Sequence, residues 1–487
     1  MSIPNDLRVP FLYVEFDSSR AFQGPSILRY KILLVGQRRS GGTRPQLMID
    51  KITSYDQATK LYGAGSQLAR MFKAFFENNK ISDVYGCSLD DAGAGVAASG
   101  QFVIGGTATR TGVFVAYIGG ERVPVAVTVG MTASQIGTAL AAAINADTGK
   151  PVTATSVSGT VTITAKNAGE AGNDIDLRMN YYAGEELPDG ITCSVTAMAS
   201  GATNPSLSSV IAIMGDEWYN VICSPYYDAT NMTAIENELS SRFGPLRMID
   251  GLYISSRKGS VGALSSWGSG RNSPHCIVMH SQGICGTSFE FAAALAGQVS
   301  KEAQADPARP FQTIEIVGVL PPAITARFTL AENNSLLYDG ISTFYTDNGG
   351  KVRIQRLITM YQTNALGAQD IAYLDANTLF TLMYLRYDFR TQILTRYPRA
   401  KLADDGVQVG PGQQVMTPKL GKSEAINIFR GWEQLGLVEN IDQFKRDLVC
   451  VRSITDPNRL DWILPPDLIN QFRVGAANIQ FLLESPN

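Results

Sequence analysis

From Asp90 to about Asn204 the chain fills with Gly, Ala, Thr, Val and Ser and loses most of its long charged residues. No other feature constrains the fold so strongly. Within this stretch, Gly112 to Ile118 and Arg122 to Val129 alternate as strands around Gly119-Gly120, a two-residue hairpin signal. Thr132 to Asn145 predicts a short amphipathic helix, with Ile136, Leu140 and Ile144 on one face. Val152 to Thr155, Thr160 to Ala165, Ile175 to Tyr181 and Ile191 to Ala197 read as further strands. The result is a self-contained, mainly β module with one helix.

The flanks alternate differently. Tyr30 to Val35 and Val84 to Cys87 read as strands, and Ser66 to Asn78 as a helix whose apolar face carries Leu68, Phe72 and Phe75. After the module, strands are expected at Tyr219 to Cys223, Leu252 to Ser255 and His275 to His280. Helices are expected at Asp228 to Arg242, Ser260 to Ser266 and Ser288 to Ala305. Repeated β-then-α segments imply an α/β layer around a central sheet. The simplest topology inserts the β module into that layer, leaving after Cys87 and returning near Asn204, because closely spaced loop ends tolerate insertion.

The last third reads as α+β. Ile341 to Thr346 and Val352 to Met360 form a hairpin over Asp347-Asn348-Gly349-Gly350. Ile371 to Tyr397 is the longest predicted helix, and Ser423 to Leu435 another, stopped by Gly436. Phe472 to Leu483 alternates loosely and is too apolar to stay solvated, so a partner is expected for it.

Charged residues make up 17% of the 487, with a net charge of −3. That balance argues against nucleic acid as a bulk partner, since phosphate binding needs a basic footprint. The thin charge layer points to surface covered by other subunits. Met1 to Phe16 lacks the pattern of a signal peptide, and the six scattered cysteines then read as reduced, so folding in a cytoplasm is expected. No apolar run approaches the ~20 residues of a membrane span.

Catalytic motifs fail one by one. Gly36 to Thr43 (GQRRSGGT) follows a strand as a phosphate-cradling loop should, but Gly42 stands where the lysine belongs and Pro45 interrupts the helix to come. It reads as a mobile polar loop between strands. Met279 to Gly283 resembles a nucleophile elbow without its first glycine, and His280 and Ser281 are adjacent, hence on opposite strand faces. His275, Cys276, His280 and Cys285 straddle alternating faces at spacings that do not suit zinc. Asp90-Asp91 and Asp404-Asp405 read as solvated turns. The expectation is no enzyme, no metal and no cofactor.

Another set of residues carries a resemblance. Arg356 to Gln362 (RLITMYQ), Gly367 to Asp370, Tyr373 to Asp375, Tyr384 to Tyr387 and Pro398 to Gly406 (PRAKLADDG) resemble the C-terminal region of contractile phage tail sheath proteins, in the Mu-like group. Gly436 to Asn440, Phe444 to Val451, Arg459 to Asp461 and Pro465 to Phe472 extend it. So do Ile3-Pro4 to Pro10, Tyr30 to Gly36 and Tyr62 to Ser66.

The resemblance implies a multidomain α/β plus α+β fold with strand-exchanging terminal arms. Its expected domains are an N-terminal arm (1–28), a sheath core in two parts (29–88 and 205–340), an inserted mainly-β outer domain (89–204), a C-terminal α+β sheath domain (341–470) and a C-terminal strand-exchange arm (471–487). The implied function is a virion subunit that stacks as hexameric rings around the tail tube and contracts during genome ejection. Implied partners are other sheath subunits, the tube protein, and baseplate and tail terminator proteins, without nucleic acid contact or membrane insertion. The candidate interface residues are Ile3, Leu7, Val9 and Phe11 in one arm and Phe472, Val474, Ile479, Phe481 and Leu483 in the other. The alternative is a cell-surface or carbohydrate-binding virion protein, against which the module offers no Trp and only Tyr117, Tyr181 and Tyr182 as platforms.

Overall fold

The computed structural model describes residues 28–408 and 410–483. The first segment holds β1 (Lys31–Gln37), β2 (Ile49–Ile52), α1 (Tyr55–Tyr62), α2 (Gln67–Asn78) and β3 (Asp83–Leu89). β1 begins with the continuous apolar run Ile32 to Val35, which is buried on both faces, as a central parallel strand requires. α2 starts where the Ser66 hydroxyl accepts the Ala69 N–H, and it buries Leu68, Met71, Phe72 and Phe75. α1 has no counterpart among the sequence expectations, whereas β2 is the strand into which the loop at Gly36 to Thr43 leads.

The next elements are β4 (Ser99–Gly106), β5 (Gly112–Ile118), β6 (Glu121–Val127), α3 (Ala133–Ala146), β7 (Val152–Val157), β8 (Thr160–Ala165), β9 (Leu177–Met179) and β10 (Ile191–Ala199). They make a four-stranded sheet ordered β10-β4-β8-β7 and a three-stranded sheet ordered β6-β5-β9. The β5–β6 hairpin turns through Gly119 and Gly120, both at positive φ. α3 opens with a capping box between Thr132 and Gln135. Asn145 at its end bonds both the N–H (2.9 Å) and the C=O (2.7 Å) of Ala154, plugging the outer edge of β7.

The chain then continues through α4 (Ser208–Met214), β11 (Val221–Cys223), α5 (Ala229–Phe243), β12 (Leu252–Arg257), α6 (Val261–Gly268), β13 (Cys276–His280) and α7 (Ser288–Ala305). The six-stranded sheet runs β13-β12-β11-β1-β3-β2, parallel throughout except for β2. β1 lies between β3 and β11, so strand order reverses there, and residues 90–204 separate the two halves of that sheet in sequence. α2 and α7 pack together beneath it.

Hairpin residues dock residues 90–204 onto this layer. Glu121 bonds Arg70 (2.7 Å), Lys73 (3.0 Å) and Lys150 (3.1 Å), and Arg70 also pairs with Glu290 on α7 (2.7 Å). Burial alone would raise the Glu121 carboxyl, but Arg70 and Lys73 pull it down to about 2. Arg178 reaches the Gly283 and Ile284 carbonyls, and the Tyr181 hydroxyl donates to Pro321 O (2.9 Å).

The last third comprises α8 (Leu330–Tyr338), β14 (Thr343–Thr346), β15 (Val352–Arg356), α9 (Ala376–Arg396), β16 (Lys401–Leu402), β17 (Val415–Met416), α10 (Pro418–Gln434), β18 (Val438–Glu439), α11 (Ile441–Asp447), β19 (Val449–Arg452), β20 (Leu460–Ile463) and β21 (Asp467–Leu468). Asp347 closes the β14–β15 turn by accepting the Gly349 and Lys351 N–H groups, both at 2.9 Å. α9 starts at Ala376 rather than Ile371, because Leu374 and Asp375 bond back to the 357–360 segment instead. α10 starts at Pro418, five residues before the expected Ser423: Thr417 caps it and Pro418 occupies the first turn.

By compactness the described residues divide into 29–383 with 469–483, and 384–468 with Leu28, so the division falls inside α9. The 384–468 unit has its own core, in which Phe429 stacks on Phe444 at 4.2 Å and the Trp432 indole donates to Asp388 (2.7 Å). No helix among the described residues is long and apolar enough to cross a membrane.

Candidate assembly site

Open α/β sheets bind ligands beyond the carboxyl ends of their strands, where strand order reverses. Here that place is beside β1, at the start of α2, and the protein's own side chains fill it. Asn167 accepts the Gln67 N–H at the helix start (3.0 Å) and donates to Arg38 O (2.9 Å). The Gln67 side chain accepts the Gln37 N–H (3.0 Å) and the Tyr226 hydroxyl (3.2 Å). Asp91 accepts from Gln37 (2.7 Å), Asn167 (3.0 Å) and the Ala168 N–H (3.1 Å). The Gln67 N–H is thus spent on Asn167 and the Ala69 N–H on Ser66.

The loop at Gly36 to Thr43 joins two strands, as its sequence indicates, but its backbone is pinned to the end of α1. Arg39 N–H donates to Tyr62 O (2.8 Å) and Arg44 N–H to Leu61 O (2.9 Å). A Cβ on Gly42 would lie 2.5 Å from Leu61 O. Glycine there serves close backbone packing, and the expected mobility is not what the hydrogen bonding describes.

The other candidate chemistry dissolves into structure. His280 lies between Phe328 (4.9 Å) and Phe344 (4.5 Å), and burial depresses its pKa to about 3 against a smaller opposing hydrogen bond from Asn333. Ser281 bonds Ser288 (2.7 Å) rather than a histidine. Burial pushes the Cys276 thiol well up and the Cys285 thiol up to about 12. Among the described residues no group of three His, Cys, Asp or Glu side chains is arranged to hold a metal. Asp90 pairs with Arg38 (2.7 Å) and Asp404 with Arg452 (3.1 Å), while Asp405 accepts the Lys419 N–H (2.9 Å). Tyr117 is buried and Tyr181 partly so, leaving Tyr182 as the exposed ring of the three.

Ile3, Leu7, Val9 and Phe11 lie outside the described residues. The other candidate arm is visible. Residues 469–483 form no helix or strand, and every side chain from Val474 to Leu483 is exposed, among them Ile479 (85%), Phe481 (77%) and Leu483 (91%). Phe472 is exposed as well. That is an unusual amount of bare apolar surface for one short stretch. Its root is held: Arg473 pairs with Asp375 (3.0 Å) and Gln312 donates to Phe472 O (3.1 Å). Sequence reasoning missed this anchorage, since an arginine amid apolar tail residues gives no sign of a partner about a hundred residues away.

A second feature suits pairing. β19 and β20 form a two-stranded antiparallel sheet whose Val449, Val451 and Ile463 are exposed. Such a sheet presents open main-chain edges.

Comparison with known proteins gives the family. Residues 200–360 match the phage tail sheath protein central domain, and residues 368–482 match the phage tail sheath C-terminal domain. The Mu-like prophage FluMu tail sheath protein of Haemophilus influenzae is 39% identical over 482 residues, covering 99% of each chain. Among solved structures, a chain of the contracted anti-feeding prophage baseplate aligns over 100% of both chains at 10% identity and a TM-score of 0.50. The sheath tail protein of Desulfitobacterium hafniense aligns over 94% of this chain and 100% of its own, at 13% identity and a TM-score of 0.49.

Proposed function

The chain belongs to the phage tail sheath proteins, structural subunits of the contractile tail in the virion, and on that premise we propose how its surfaces build and work the sheath. Subunits stack as hexameric rings around the tail tube. The C-terminal arm is donated to a neighbour, whose sheet it extends by main-chain pairing, while alternate apolar side chains set the register. The β19–β20 edge is the acceptor that its exposed valines favour. Residues 1–28 form the second arm, and residues 89–204 face outward. Such head-to-tail pairing generates rings and helical tubes. The extended sheath is a metastable packing, and triggering at the baseplate lets subunits slide into one that buries more interface. Tube, baseplate and tail terminator proteins are the remaining partners.

The single observation that carries this reading is the run of apolar residues after Arg473, rooted in a folded unit and exposed among the described residues. Burying one Phe481 side chain in a neighbour contributes about 1.5–3 kcal/mol, a term repeated at each subunit of the lattice. Truncation from Gly475 onward should leave a soluble protein that melts cooperatively and forms no tubes by electron microscopy. Tubes from the truncated chain would rule the arm out as the linker.

A further inference from the structure

The strand donation proposed above needs an arm that leaves the subunit in a defined direction, and on that reading we propose that Arg473 is the positioning residue that fixes its take-off, with the hinge lying beyond it at Gly475 to Ala477. The segment around Arg473 is bare, yet the Arg473 side chain is only 14% exposed. Its Nη2 donates to Gln471 Oε1 (3.0 Å) and Asn377 Oδ1 (3.2 Å), in addition to pairing with Asp375. Asn377 is itself held rigidly, since its amide donates to the carbonyls of Pro307 (2.9 Å) and Arg309 (2.7 Å). Asp375 also receives the Arg356 guanidinium, through Nε and Nη2, both at 3.2 Å.

Residue 472 is therefore held through its carbonyl by Gln312, and residue 473 through its side chain by Asp375 and by Asn377 at the start of α9. One residue later the grip ends. Val474 is exposed, and the small residues Gly475-Ala476-Ala477 that follow are exposed too. A fixed root with a free arm restricts where the donated strand can search, which raises its effective concentration at a neighbour's edge.

Arg356 still neutralises Asp375 when Arg473 is removed, so Arg473→Met should fold. The root is read in the unpolymerised full-length protein carrying Cys193→Ser, with spin labels at Ser335→Cys on α8 and at either Val474→Cys or Asn478→Cys. The expected distance distribution is narrow at 474 and broad at 478. Arg473→Met should at least double the width at 474, and Arg473→Lys should recover part of it. An unchanged width at 474 overturns the clamp, and a narrow distribution at 478 overturns the hinge position. In the same variants without labels, the concentration needed for pelletable tubes should rise about tenfold for Arg473→Met and less for Arg473→Lys. An unchanged threshold despite a broadened root overturns the positioning role. Tubes from the chain truncated at Gly475 would refute strand donation instead, while the width at 474 still judges the clamp.

Discussion

Replacing Glu121 by glutamine should destabilise the folded unit of residues 29–383 by about 3 kcal/mol at neutral pH. The carboxylate faces Arg70, Lys73 and Lys150, with 23% of its side chain exposed, and its pKa is drawn from 4.5 to about 2. At ~1.4 kcal/mol per unit, that displacement corresponds to roughly 3 kcal/mol of coupling between folding and ionisation. Because the folded value is the lower one, the stabilisation is fully present above pH ~4.5 and is lost as pH falls from there toward ~2. Glutamine forfeits it at every pH, so the two proteins should differ most at neutral pH and converge near pH 2 to 3. Urea titrations of unpolymerised protein, followed through Trp218 and Trp267 in this unit, measure the difference at each pH. At the unfolding midpoint it corresponds to a shift of about 4 °C for a unit of this size. A loss below about 1 kcal/mol at pH 7, or a gap that stays constant down to pH 3, would refute the reasoning.

His280 should act at milder acidity. Its depressed pKa of about 3 means that between pH ~6.5 and ~3 the unfolded chain takes up a proton that the folded chain refuses, so stability falls as pH drops. His280→Phe should remove about 2 kcal/mol of the loss seen between pH 7 and 5, and an unaltered acid limb in urea midpoints would count against it. Gly42→Ala should cost ~1–3 kcal/mol, because a Cβ there meets Leu61 O at 2.5 Å; a neutral thermal shift would mean that the loop yields freely. Replacing residues 90–204 by a short Gly/Ser linker should leave a core that folds but melts lower, since α2 loses the Asn167 cap and Arg70 keeps only Glu290. Loss of any cooperative melt would make the module part of the core.

Much of this architecture is written locally. The Ile32 to Val35 run, the Gly119-Gly120 turn and the apolar face of α2 each carry enough signal within a dozen residues to place an element. Local signals also misled. The Thr417-Pro418 start of α10 is a legible cap that the apolar pattern beginning at Ser423 obscured, and α1 and α8 are short helices with few buried residues to announce them. What sequence does not disclose is pairing at a distance: Asn167 on the start of α2, Glu121 on Arg70, Arg473 on Asp375. The apolar C-terminal arm is visible in both, because its character is compositional, whereas the grip on its root is a property of three-dimensional neighbours.

The filled crevice beside β1 has a thermodynamic consequence. Asp91, Asn167 and Ala168 occupy a seat that related architectures keep for a diffusible molecule, so this subunit is permanently saturated by a tethered occupant of its own. A tethered occupant is present at an effective concentration set by its own chain, so a diffusible molecule could enter this crevice only by displacing hydrogen bonds the fold already makes.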